Sequence, residues 1–194
     1  MGQDNVATDP LDAERARLFA LLGRLLGAPP DATLLGALRS LRGGPGEVGE
    51  AYDALATASV TTTPDSVDRE FFDLFIGVGR GELLPYASYY LTGFLHERPL
   101  AELRGDLARL GIARVEGVPE PEDHIAFLCE TFAGLIAGDF AAGPDEAGAF
   151  FARHMRPWAA RFFTDLEAAE AARFYRAVGA LGRDVWRMSE DEME

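Results

Sequence analysis

The chain has 194 residues, of which 26% are charged, a net charge of −14 and no lysine, so all 18 basic residues are arginine. Such an acidic surface repels phosphate backbones and anionic headgroups, which argues against nucleic acid and anionic lipid, and the apolar stretches are too short for stable membrane insertion; the charge favours a basic ligand or plain solubility. The length suits one large domain, and the lone Cys129 excludes an internal disulfide and a cysteine-based zinc site.

Residues 1–10 are polar, carry Asp4 and Asp9, and read as a disordered N-terminus without a secretory leader. With the single thiol, this predicts a cytoplasmic protein. From Leu11 the pattern is helical. Leu11, Leu18, Leu21, Leu22, Leu25 and Leu26 form one apolar face, stopped by Pro29 and Pro30. Asp31 is placed to cap a second helix with Leu34, Leu35, Leu38 and Leu41. Gly43 to Gly46 breaks the chain. A third helix runs through Tyr52, Leu55 and Val60 and fades towards Pro64; a fourth carries Val67, Phe71, Leu74 and Phe75.

Gly77 to Pro85 reads as a glycine-rich loop. Pro99 opens a helix through Leu110, ended by Gly111. Pro121 is placed in the first turn of the next helix, which bears Ile125, Leu128, Phe132 and Leu135 and stops at Gly138. The last third carries Phe150, Phe151, Trp158, Phe162, Phe163, Phe174, Tyr175, Val178 and Leu181; residues 189–194 read as a frayed acidic tail. No alternating run is long enough for a sheet. The fold class is therefore all-α, about ten helices in one domain over residues 11–188.

Catalytic signatures are absent. A phosphate-cradling loop needs a lysine the chain lacks, and His96, His124 and His154 have no helical metal-ligand spacing. No metal, no cofactor and no catalytic residue are expected. Three polar clusters remain. Glu120-Pro121-Glu122-Asp123-His124 reads either as a helix start stabilised by its carboxylates or as a ligand contact in which Asp123 takes an arginine fork and His124 a hydrogen bond. Pro85-Tyr86-Ala87-Ser88-Tyr89-Tyr90 reads as core packing with satisfied hydroxyls or as a recognition surface. In His154-Met155-Arg156-Pro157-Trp158, the proline separates two helices, and Trp158 and Phe162 read as core.

Together these clusters resemble the TorD/DmsD family of redox-enzyme maturation chaperones, more distantly the NarJ type. The matching residues are Glu70-Phe71, Leu74-Phe75-Ile76-Gly77, Leu84-Pro85-Tyr86 with Ser88 and Tyr90, Glu120 to His124, His154, Pro157-Trp158, Phe162 and Phe174-Tyr175. The resemblance spans roughly residues 12 to 188, nearly the whole chain, and Glu120 to His124 is its most specific segment. Tyr86 stands where several relatives have tryptophan.

The resemblance implies a non-enzymatic chaperone that binds the twin-arginine signal peptide and the apo catalytic subunit of a molybdopterin oxidoreductase, holding it until cofactor insertion and export. It implies a peptide groove built by Tyr86, Ser88, Tyr90, Glu120, Asp123 and His124, with Glu70, Phe75, Pro85, Pro121, His154, Pro157 and Trp158 as structural motif. It also implies a monomer able to form a domain-swapped dimer, for which Gly43 to Gly46 and Gly77 to Gly81 would be hinges. The form of Pro85 to Gly93 is similar to relatives serving formate dehydrogenases; dimethyl-sulfoxide-reductase-type enzymes are the other client class. Guanine-nucleotide binding, credited to some relatives, is disfavoured by the missing lysine. The rival readings are a helical adaptor for a folded partner and, weaker, a nucleotide hydrolase using Asp123, His124 and His154.

Overall fold

A computed structural model describes residues 10–113, 120–143 and 145–192, with residues 191 and 192 as backbone only. The helices are α1 (Pro10–Gly27), α2 (Ala32–Arg39), α3 (Glu47–Thr61), α4 (Pro64–Phe71), α5 (Ala87–Thr92), α6 (Arg98–Arg109), α7 (Ile125–Ala137), α8 (Glu146–Phe150), α9 (Ala159–Ala168) and α10 (Phe174–Glu192). α4 and α8 each run on into a single π-helical turn, Phe72–Ile76 and Phe151–Met155. Among the described residues there is no strand, only one isolated antiparallel bridge between Tyr86 and His124.

The helix limits follow from local chemistry. The Asp31 side chain accepts the Leu34 N–H at 2.8 Å, as its position before α2 requires. Thr63 and Ser66 form a reciprocal capping box at α4, with Pro64 in the first turn where no N–H is missed. Gly138 ends α7 with φ of 77°, a left-handed conformation costly for a residue with a side chain.

α1 and α7 pack as the central pair. Leu18, Phe19, Leu22 and Leu25 on α1 are fully buried, as are Ile125, Leu128, Cys129 and Phe132 on α7. Phe19 meets Phe132 edge to face with centroids 4.7 Å apart. The helices close up at Gly23: a Cβ there would lie 2.6 Å from Glu130 Cγ and 3.1 Å from the Ala126 carbonyl oxygen. α10 lies across α9, α3 and α1. Its Trp186 stacks on Phe151 at 4.5 Å, and Phe163 and Phe162 complete an aromatic core under α9.

Three expectations change. α10 continues to Glu192, and Ser189 is fully buried, its hydroxyl donating to the Val185 carbonyl; it sits four residues beyond Val185 on the face that buries Leu181. The acidic end is therefore helix as far as it is described, not a separate tail from residue 189. α1 starts at Pro10, the last residue assigned to the disordered N-terminus; residues 1–9 of that segment lie outside the described residues, as does most of the connection expected at Val115 to Glu120. Pro121 lies before α7 rather than in its first turn, because His124 is the residue that caps that helix.

Cys129 is buried, and burial pushes its thiol pKa far up, which makes it inert near neutral pH. No group of metal-ligating side chains occurs among the described residues. No described helix is long and apolar enough to cross a membrane.

Candidate functional site

Two irregular segments cross where the sequence places its densest polar clusters. The chain before α5 and the chain before α7 pair in one antiparallel step. The Ile125 N–H donates to the Pro85 carbonyl at 2.9 Å and the Ala87 N–H to the Asp123 carbonyl at 3.0 Å. Pro85 has no N–H to lose there, so it suits this short bridge. Asp123 then turns its carboxylate under α5, where Oδ2 accepts the Ser88 N–H at 2.9 Å. Glu122 holds the other side of the turn by accepting Nε and Nη2 of Arg104 on α6, at 3.0 and 2.8 Å.

His124 closes the crossing. Its Nδ1 accepts the Ala126 N–H at 3.1 Å, which caps α7 and leaves Nε2 to carry the proton of the neutral ring. Burial drives its pKa down to about 4, against the opposing pull of Glu120 and Asp123. The ring therefore stays neutral at physiological pH and meets Tyr86 edge on at 5.1 Å. The Tyr86 hydroxyl donates to Glu120, whose side chain is exposed. Burial and that carboxylate push the hydroxyl pKa up, so it remains a donor.

Beside this crossing opens a pocket of about 370 Å³. Gly23, Gly27 and Ala28 form one wall, Ala126 and Phe127 the other, with His124 and Pro121 between. Glu120 and Glu130 stand at its exposed edge, with Arg24. It is an apolar trough whose rim is net acidic, the carboxylates outnumbering Arg24, suited to a ligand that is apolar along its length and cationic at one end.

Residues 43–164 match the protein family described as the nitrate reductase delta subunit, which is more than half of the chain. The chain belongs to that family. Relatives within it include the chaperone protein TorD of Aliivibrio fischeri, 30% identical over 58% of this chain and 57% of its own length. The TorD of Vibrio cholerae is 27% identical over 58% and 55%. The chain thus aligns with little more than half the length of these curated relatives. A solved structure from Archaeoglobus fulgidus, described as a redox enzyme maturation protein, superposes over 95% of this chain and 99% of its own with a TM-score of 0.64 at 19% identity, which establishes a common fold. The TorD/DmsD resemblance holds at the level of the family, and with it the all-helical single-domain architecture.

The family motifs divide into those that build and those that line. Glu70 builds: its carboxylate accepts the N–H groups of Arg173, Phe174 and Tyr175 at 2.7, 3.1 and 2.7 Å and so caps α10. Phe75 packs edge on against Tyr175 at 5.5 Å, and the Tyr175 hydroxyl donates to the Leu25 carbonyl. His154 is buried against Asp106 of α6 at 2.8 Å, and its carbonyl takes the Trp158 indole N–H. Pro157 follows in the turn from which α9 starts, and Trp158 is 2% exposed.

The expected groove residues do not form one groove. Glu120 and His124 line the pocket, and Tyr86 touches both of them from behind its edge. Asp123, at 1% exposure, faces inward with one oxygen occupied, so it offers no open fork to an arginine. Ser88 is fully buried and its hydroxyl meets no partner. Tyr90 points away, because residues 86 and 90 are separated by the start of a helix that turns the chain. It packs on Trp158 at 5.3 Å, donates to Asp165 at 3.0 Å, and lines a second pocket of about 360 Å³ with Arg80, Tyr89 and Arg161. Gly23, Gly27, Phe127 and Glu130 escaped the sequence reading. Their signal was faint: two glycines four apart on the α1 face, and one aromatic just past a helix cap.

Proposed function

We propose that this protein is a maturation chaperone for a redox enzyme: it binds the twin-arginine signal peptide of a molybdoenzyme catalytic subunit and holds the apo subunit until its cofactor is in place. The observation that carries this reading is the pocket beside His124, apolar along Gly23, Gly27, Ala126 and Phe127 and edged by Glu120 and Glu130. A twin-arginine leader presents two guanidinium groups followed by an apolar stretch. Arginine at the rim finds carboxylates with planar bidentate geometry, while each apolar side chain that fills the trough contributes roughly 1.5–3 kcal/mol before ordering costs. The result is an affinity near micromolar, about −8 kcal/mol, weak enough for release. Family membership and the TorD relatives support the chaperone class. Leu91 near the end of α5 and Phe94 and Leu95 just beyond it, 43, 69 and 39% exposed, supply open apolar surface for an unfinished client body.

Titration calorimetry tests the reading with a synthetic twin-arginine leader of a molybdoenzyme catalytic subunit. Binding near micromolar, weakened at least tenfold when Arg-Arg becomes Lys-Lys and again in Glu120→Gln/Glu130→Gln, is expected. Equal binding of both leaders, or no binding by the folded protein, would leave the adaptor for a folded partner as the better account.

A further inference from the structure

α5 is six residues long, too short to hold its own conformation in water. Tyr86 occupies its N-cap position and makes no side-chain capping bond. Its first two N–H groups are satisfied from elsewhere in the chain, both by residue 123: Ala87 by the carbonyl and Ser88 by the carboxylate. Ser88 is fully buried, so no water replaces the carboxylate if it is removed. α5 in turn bears on both pockets, on the first through residues that line it and on the second directly. Its cap residue Tyr86 reaches Glu120 and His124 on one side. Three and four residues on, Tyr89 and Tyr90 wall the second pocket beside Arg80 and Arg161.

We infer that Asp123 is a positioning residue: it caps α5 from the neighbouring loop, sets Tyr86 against the pocket residues Glu120 and His124 and Tyr90 against Trp158 together, and touches no client itself. This deepens the signal-peptide reading and rests on it for the binding half of the test. Removal of the acceptor should let the first turn of α5 unwind, releasing Tyr86 from His124 and Tyr90 from Trp158 in one event. The charge of Asp123 has no part in this, only an oxygen at the right place, and asparagine supplies one with comparable capping strength.

The experiment compares Asp123→Asn with Asp123→Ala in full-length protein carrying Trp186→Phe, so that Trp158 is the sole indole. Trp158 lies 5.3 Å from the Tyr90 ring and reports the seat of α5. Two readouts are taken: Trp158 emission with acrylamide quenching, and calorimetry against one arginine-bearing signal peptide. The expected result is that Asn keeps the parental emission and binds within about threefold, while Ala shifts the emission to the red, is quenched more readily, and binds at least tenfold more weakly. Equal losses in Asn and Ala with unmoved Trp158 emission would overturn the inference and make Asp123 a direct charge contact. If Ala does not fold, Asn alone decides: retained binding supports positioning, lost binding refutes it. If the parent binds no signal peptide, the proposed function fails, but emission still judges this residue: a shift in Ala and none in Asn supports the cap, and no shift in either refutes it.

Discussion

Two corners of this molecule use the same parts to opposite ends. At the α4–α10 corner, Glu70 from one segment caps a distant helix and Tyr175 beside it is fully buried, its hydroxyl spent on Leu25. At the α5–α7 corner, Asp123 caps a distant helix and Tyr86 beside it stays half-buried, its hydroxyl on an exposed Glu120 at the edge of a pocket. A carboxylate, a helix start and a tyrosine thus make a sealed joint in one place and an open mouth in the other. What separates them is the facing surface. The first corner meets the aromatic rings of Phe71 and Phe75. The second meets the glycine-walled side of α1.

The largest effect expected from this contrast is pH-dependent and belongs to the open corner. His124 has a folded pKa of about 4 against an ordinary 6.5, so between those values the unfolded chain holds more protons. Its contribution is complete above pH 6.5 and is lost as pH falls towards 4. His124→Asn keeps an acceptor for the Ala126 N–H but cannot titrate. Urea unfolding at pH 7 and pH 4.5 should show the variant losing about 2–3 kcal/mol less than wild type over that interval. Parallel losses would mean that the ring is solvated and the corner less closed than its burial indicates.

Next in size is the sealed joint. Glu70→Ala strands three N–H groups at the start of α10 and should cost about 2–3 kcal/mol in urea unfolding, with Glu70→Gln recovering part of it. Signal-peptide affinity of the folded variant should stay within about twofold, on the scale of ~0.4 kcal/mol. A selective loss of binding at unchanged stability would erase the distinction between the corners.

Tyr86→Phe inverts that pattern. Stability should change by less than about 1 kcal/mol, since the lost bond is at the surface, while signal-peptide affinity falls roughly threefold to tenfold because Glu120 loses the donor that orients it. Tyr90→Phe gives the smallest effect. It removes one bond to Asp165, should cost about 0.5–1 kcal/mol, and should leave that affinity within about twofold. A large binding loss there would join the two pockets into one site.

The elements were legible in the sequence because their signals are local. Pro29-Pro30, Asp31, Pro99 and Gly138 each act within a turn of the chain and mark helix ends where they fall. The lining of the site was only half legible. Tyr86, Glu120 and His124 stand out as polar residues in a hydrophobic chain, yet Asp123 and Ser88 stand out equally and face inward. Residue type does not carry direction; that is settled by a bridge between segments nearly forty positions apart. The π-helical turns left no pattern to read, since one extra residue per turn disturbs the hydrophobic period too briefly to notice. The short α5 was hidden because three tyrosines in five positions fit no single helical face, and in fact they serve two.

The segment that joins α4 to α5 has a consequence for the history of any sample. Gly77 to Pro85 looks like slack chain, but the Glu82 and Leu83 N–H groups are tied back to Asp73 and Leu74, and the Glu82 carboxylate is bound by the N–H groups of Glu170 and Ala171. Gly81 is buried with the Leu74 and Phe75 backbone against it. Two subunits trading helices across this stretch must first strip away those bonds, which amounts to partial unfolding rather than the swing of a loop. Were such exchange to occur, single and exchanged chains would interconvert only through that unfolding, so their proportion would answer to how the protein was folded rather than to dilution.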